Sequence, residues 1–335
     1  MSRVILVGIF SFLLGSTLVL AQEESILEFV KEGIEYHERG NYKAALSAYE
    51  KALKIDKSAP LVHYEMAYTY FALGNHDKAI EHADVVIKQR GDYLKDAFMV
   101  KANTLDVMGK SNDAIAVYEK ALMTFPDDYL LLYNLALAQY SKGDKAAAEQ
   151  HAIAAIQHNV NHRSSHYLLG FIQMEQGRKV PALLALYTFL LLEPDTDRSR
   201  NALLAIQQQI KEGVKKETEK NTQIFLSPQD DEGFMAAELT LSLIQASFQM
   251  DTLQLSEEAK FVKITTAFFE TLASQLEGKQ GFWWETYVPF YSHLQQTGHT
   301  EAYCYYISQT KGAAAERWIK ENKDKMEAFD RWLKE

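Results

Sequence analysis

Three histidines, His158, His162 and His166, recur at a spacing of four. On one continuous helix that spacing would align imidazoles along a face, as a zinc site needs. Asn159-Val160-Asn161 should break the helix between them, and no carboxylate or cysteine joins them at ligand spacing. No metal site is expected. A second concentration of chemically capable side chains is aromatic: Phe282, Trp283, Trp284, Tyr287, Phe290 and Tyr291. These rings could wall a ligand pocket with Glu285 and His293 at its rim, or form the apolar stripe of packed helices. Cys304, the one cysteine, sits between Tyr303 and Tyr305, which suits a packed thiol rather than a reactive one. The chain has no glycine-rich phosphate loop, nucleophile elbow or metalloprotease helix. The expectation is no catalytic residue, no cofactor and no enzyme.

Composition narrows the partner class. The 335 residues carry a formal charge of −10, and binding phosphate backbones needs a basic face. Nucleic acid is therefore not an expected partner. Met1 to Arg3 give a short positive start, Val4 to Leu20 are almost wholly apolar, and Val19-Leu20-Ala21 offers small residues before Gln22. This is a secretory signal pattern over residues 1–21. An uncleaved anchor is the alternative, and membrane association follows only in that case. Arg3 is the sole charged residue of that segment, so its removal takes the charge from −10 to −11. No Asn-x-Ser/Thr acceptor occurs, which for an exported chain favours a bacterial envelope or periplasm.

The elements that hold these residues are announced by glycines. Gly40, Gly74, Gly109, Gly143 and Gly177 are separated by 34, 35, 34 and 34 residues. Five residues after each lies an alanine (Ala45, Ala79, Ala114, Ala148, Ala182), and seven before each lies Gly33, Ala67, Ala102, Ala136 or Gly170. A fixed period of this length marks stacked supersecondary units. Around Gly40, the residues Phe29, Gly33 and Tyr36 share one helical face, and Ala45, Tyr49 and Ala52 share another. Each period is thus two amphipathic helices with glycine at the turn. Small residues let the helices cross closely, and larger ones fill the holes. Asp127 and Asp128 suit the cap of the helix after Pro126, and Pro181 suits the first turn of a second helix.

These residues resemble the tetratricopeptide repeat (TPR), the 34-residue helix–turn–helix module. The likeness rests on Gly33, Tyr36, Ala45, Tyr49 and Ala52 in the first period, on Ala102, Ala114, Tyr118, Ala121 and Pro126 in the third, and on Gly170, Ala182 and Pro194 in the fifth. Lys57, Gly91 and Val160 depart from it at the closing proline, and Gln139 and Gln173 at an aromatic or leucine position. It covers repeats at about 26–59, 60–93, 95–128, 129–162 and 163–196, and implies an all-α solenoid of helical hairpins. In the family, the first helix of each repeat lines a concave groove that binds extended peptides or helices. Carried over by position, the groove comprises Leu27, Val30, Ile34 and His37, then Leu61, Tyr64, Tyr68 and Phe71, then Asp96, Met99, Asn103 and Asp106. It continues with Leu130, Tyr133, Leu137 and Tyr140, beside Asn134, and ends with Ser164, Tyr167, Phe171 and Met174. Such a groove is aromatic and nearly uncharged. Some members clamp a C-terminal carboxylate; here Asn103 and Asn134 match, but Met99, Ser164 and Leu168 stand where the clamp needs cations. No carboxylate clamp is expected.

Beyond the repeats, residues 197–212 read as a capping helix, with Leu203, Leu204 and Ile210 available to cover the fifth repeat. Residues 213–232 read as a polar linker or mobile loop, and 233–335 as a helical domain of their own. The sequence therefore points to a non-enzymatic interaction scaffold of the bacterial cell envelope, with a protein partner in an aromatic groove. Three alternatives stand beside it: the chain's own C-terminal helices fill the groove, the C-terminal domain has a small-molecule or enzymatic role, or the groove mediates self-association.

Overall fold

The turn glycines hold positive φ, between 73° and 90° at Gly40, Gly74, Gly109, Gly143 and Gly177, a conformation in which a Cβ is penalised. This computed structural model describes residues 22–217, 222–227, 232–250 and 255–335. The expected signal segment, 1–21, lies outside the described residues. At the first turn Gly40 N donates to His37 O at 2.8 Å and Asn41 N to Tyr36 O at 2.9 Å, which closes the first helix. The following residue then starts the second helix: Asn41, Asn75 and Asp144 each accept a backbone N–H three residues on.

The chain divides into two compact bodies, one ending at Lys142 and one running from Gly143 to Glu335. The division falls within the fourth repeat, between its two helices. The N-terminal body holds α1 (22–38), α2 (Tyr42–Ile55), α3 (Pro60–Ala72), α4 (His76–Gln89), α5 (Leu94–Val107), α6 (Ser111–Leu122) and α7 (Tyr129–Lys142). Successive helices pack from α2 to α7, and the first helices α3, α5 and α7 also neighbour one another. Ala45, Ala67, Ala79, Ala102 and Ala114 have no exposed surface. A Cβ on Gly33 would overlap the Tyr49 ring, so small residues sit where helices cross. Asp128 caps α7, accepting from Leu130 N at 3.1 Å and Leu131 N at 3.0 Å.

The C-terminal body is built around α10 (Lys179–Leu192), whose residues from Lys179 to Tyr187, with Phe189 and Leu190, are all buried. A helix apolar all round must be covered all round. It is flanked by α9 (Arg163–Glu175), which follows α8 (Lys145–His158), and by α11 (Asp197–Lys211). Beyond lie α12 (Glu232–Met250), α13 (Glu257–Ser274), α14 (Phe282–Thr286), α15 (Val288–Gln296), α16 (Thr300–Tyr306), α17 (Ala313–Glu321) and α18 (Lys323–Trp332). Tyr187 of α10 is ringed by Phe261, Phe268, Phe269, Tyr291 and Tyr303. Its hydroxyl pairs with Thr265 Oγ1 at 2.9 Å, and Tyr303 donates to the Tyr187 carbonyl at 2.9 Å. The last repeat and the C-terminal helices therefore share one core.

The segment 213–232 differs from the linker or mobile loop expected of it. Val214–Lys216 and Thr222–Ile224 form an antiparallel hairpin, β1 and β2, that packs against α12. A buried ion pair fixes it there. Lys179 Nζ lies 3.1 Å from Glu238 Oε1, with both side chains almost wholly buried, and also donates to Glu212 O at 2.9 Å. Glu238 in turn accepts from Ser227 N at 2.9 Å and Ser227 Oγ at 2.7 Å. Helix α11 starts from a Thr196–Ser199 capping box. Leu203 and Ile210 are buried, but Leu204 is 57% exposed and covers nothing.

Candidate functional site

In the N-terminal body, His37, Tyr68, Tyr64 and Tyr93 form a ladder of stacked rings. His37 of α1 stacks on Tyr68 of α3 at 4.9 Å between centroids and 18° between planes. Tyr68 stacks on Tyr64 at 6.4 Å and 17°, and Tyr64 on Tyr93 at 5.6 Å and 11°. Tyr64 and Tyr68 share one face because they lie four residues apart on α3. His37 is oriented by a 2.8 Å hydrogen bond to Thr69 Oγ1 and by the edge of Tyr42 at 5.1 Å. Burial lowers the His37 pKa, opposed by Glu38. Burial, then Asp96 and Glu65, push the Tyr64 phenol up to about 12. Tyr68 remains 44% exposed and Tyr93 36%.

Several other sequence-derived positions of this body are more enclosed, whereas Leu27 is 57% exposed. Phe71 packs against the core of Ala67, Ala83 and Val86. Met99 lies against the Phe98 and Tyr118 cluster. Asn103 Oδ1 accepts the hydroxyl of buried Tyr118, so this asparagine is tethered within its own repeat. Tyr133, Asn134 and Tyr140 on α7 are half-buried, and Leu137 is exposed.

In the C-terminal body the corresponding rings are covered by the chain itself. Tyr167 packs on Phe171 at 4.7 Å and on Phe189 at 4.8 Å. The Arg198 guanidinium of α11 lies 5.4 Å from the Tyr167 ring and 5.3 Å from Phe189. Arg198 also donates to Ser164 Oγ at 3.1 Å and pairs with Glu193. Burial alone would raise the Glu193 pKa; Arg198, Thr196 and Arg163 together bring it below the usual carboxylate value.

His158, His162 and His166 go to three different places. His158 ends α8, and His162 Nδ1 pairs with Ser165 Oγ at 2.8 Å. His166 is fully buried, its Nε2 2.8 Å from Val160 O and its Nδ1 2.8 Å from Tyr287 OH. The carbonyl requires the proton on Nε2, so Nδ1 accepts from the tyrosine. Burial, the largest influence, holds the His166 pKa down to about 4. Among the described residues no group of three or more His, Cys, Asp or Glu could hold a metal ion. Cys304 is buried, and burial raises its pKa.

The aromatic cluster divides in two. Trp284, Tyr287 and Tyr291 are core residues, whereas Phe282, Trp283 and Phe290 are half-buried and Glu285 and His293 exposed. Phe290 and Tyr287 line a cavity of about 430 Å³ with Val160, His166, Thr188 and Leu333. Sequence reasoning missed Tyr93, Arg198 and the Lys179–Glu238 pair. The signal for Tyr93 was the second glycine interval, 35 residues where the other three have 34.

These are paired helices joined by positive-φ glycines and repeated at a fixed period, which defines a helical-hairpin repeat protein. TPR models match residues 33–74, 62–92 and 99–160. Tetratricopeptide repeats are thus recognised within residues 33–92 and 99–160. The chain is similar to the TPR repeat-containing protein MJ1428 of Methanocaldococcus jannaschii, at 25% identity over 118 residues, 35% of this chain and 21% of that protein. It is 34% identical over 108 residues to the protein O-mannosyl-transferase TMTC1 of Homo sapiens, covering 30% of this chain and 12% of that one. The chain thus spans about a fifth and about an eighth of those two relatives. It is 26% identical over 132 residues to the photosystem I assembly protein Ycf3 of Prochlorococcus marinus, covering 35% and 76%. Among solved structures, PilF of Pseudomonas aeruginosa gives a TM-score of 0.49 at 18% identity, over 56% of this chain and 88% of that one. YrrB, a TPR protein with an unusual peptide-binding site, gives 0.43 at 17%, over 57% and 97%. Tetratricopeptide repeats generally mediate binding to protein partners. No helix of the described residues is long and apolar enough to cross a membrane.

Proposed function

We propose that this protein is a non-enzymatic scaffold of the bacterial cell envelope that holds a peptide or helical segment of a partner on the aromatic face of its N-terminal body. The observation that carries the reading is the exposed ring ladder: Tyr68 and Tyr93 keep 44% and 36% of their surface open. Rigid tyrosines in this state suit interface anchors, since they bury much area at small entropic cost. The site residues are Tyr64, Tyr68, Phe71, Met99, Asn103, Tyr133, Asn134 and Tyr140, all of the N-terminal body. The apolar run Val4–Leu20 supports export. Replacing Tyr68 and Tyr133 together by alanine should abolish capture of envelope proteins while circular dichroism stays unchanged; undiminished capture removes the face as the site.

A second reading, a small-molecule role for the C-terminal body, is favoured by the cavity of about 430 Å³ beside His166 and Tyr287, a volume in the range of ligand pockets. Native mass spectrometry of protein purified from its host should then show a retained ligand, and a ligand-free mass would remove this reading.

A further inference from the structure

Arg90 and Tyr93 are the non-glycine residues with positive φ among those described, at 55° and 64°. They bracket Gly91-Asp92 in the loop between α4 and α5, where the glycine interval is one residue longer than elsewhere. The left-handed region is unusual for a bulky residue such as tyrosine. The Tyr93 carbonyl accepts the Ala97 N–H at 2.9 Å, as any residue at that place would, but its side chain makes no cap bond to α5. What the conformation does is bring its ring against Tyr64, extending the ladder from three rings to four. Strain held by a side chain with no capping role points to function at the place the ring serves.

The charged groups that bear on the Tyr64 ring of the ladder are carboxylates, Asp96 and Glu65. Helix α3 contains no lysine or arginine, and its one acidic residue is Glu65. The two lysines of α5 are tied elsewhere, Lys95 to Asp128 at 2.9 Å and Lys101 to Asp84 at 2.7 Å. Among the described residues neither Glu65 nor Asp96 forms an ion pair, although Asp96 still feels the charge of Lys95, and both bear on the Tyr64 phenol. Tyrosine rings with neighbouring carboxylates favour a guanidinium or ammonium group, whose carbon stem can lie along the rings. We propose that the His37–Tyr68–Tyr64–Tyr93 ladder selects a partner segment bearing arginine or lysine, whose cation meets Glu65 and Asp96. This rests on the N-terminal face being the partner site, and adds the chemistry it prefers.

The test uses the full mature chain and fluorescein-labelled synthetic peptides of alternating leucine and arginine, compared with glutamine or glutamate in place of arginine. Fluorescence anisotropy should rank arginine above glutamine above glutamate, with a first gap of roughly tenfold that narrows as salt is added. Asp96→Asn with Glu65→Gln should close that gap. Tyr93→Gly should weaken the arginine peptide roughly tenfold while the thermal midpoint holds or rises, because glycine removes the strain along with the ring. A purely structural tyrosine would lower the midpoint instead. Equal binding of arginine and glutamine peptides, both lost in the Tyr68→Ala, Tyr133→Ala chain, overturns the cationic preference and leaves the face intact. Arginine-peptide binding that persists in that double variant overturns both.

Discussion

The two bodies treat the same repeat chemistry in opposite ways. In the N-terminal body the first-helix tyrosines stack into a ladder with open edges, and each hairpin packs on the next. In the C-terminal body Arg198 lies over Tyr167, and the helices after the repeats enclose α10. One repeat pattern thus supports a surface in the first body and a core in the second. What differs is the second helix: α4 keeps polar residues on its outer side, whereas α10 is apolar on every side. A helix of the latter kind is stable only when something is laid around it.

Substitutions in each body can break or sharpen this contrast. The largest effect is expected at the buried pair: Lys179→Ala leaves Glu238 charged and without its ammonium, at about 3–5 kcal/mol. Hydrogen exchange should show that loss in α10, α12 and the hairpin, with the N-terminal body unchanged; equal loss in both would mean the bodies unfold as one. Acid should have the next largest effect. The folded His166 pKa of about 4 lies below its unfolded value near 6.5, so the unfolded chain takes the proton first as pH falls. Stability present above pH 6.5 is then lost progressively down to about pH 4, by about 2 kcal/mol at pH 5. His166→Gln should flatten this loss in the C-terminal body, while His82, also held down to about 4 chiefly by burial, keeps it in the N-terminal one. An unaltered pH profile in His166→Gln would assign the acid sensitivity elsewhere. The smallest effect is at a cap: Asn75→Ala should cost about 1 kcal/mol, read as faster exchange in α4, with α10 unaffected.

The register of the fold was legible in the sequence because its rules are local. A glycine with φ near 75° ends a helix, an asparagine or aspartate starts the next, and a small residue marks each crossing. The pairs Gly33–Tyr49 and Gly170–Leu186 show the last rule directly, since a Cβ on either glycine would overlap its partner. Where long-range packing decides, the same reading stopped short. The polar composition around Lys215 and Glu217 suggests a linker, yet the hairpin there is held by Lys179 of α10 and Glu238 of α12, residues outside the segment itself. The boundary of the second body was hidden for the same reason, although the run Val180–Leu190 was too apolar for an ordinary repeat helix. At the candidate site, position in the repeat found Tyr64 and Tyr68. Tyr93 escaped because the additional residue before it moves it out of register, and only its backbone conformation turns it back.

The enclosure of α10 also sets a timetable for synthesis. Tyr187 meets its hydrogen-bond partner Tyr303 across 116 residues of chain. At ordinary elongation rates that delay is on the order of ten seconds. During that interval the N-terminal body has all its residues and can fold, whereas α10 stays an uncovered apolar helix. The protein should therefore depend on holding factors late in its production rather than early. A chain ended after residue 212 should carry that exposed state permanently, which its soluble yield beside the full chain would reveal.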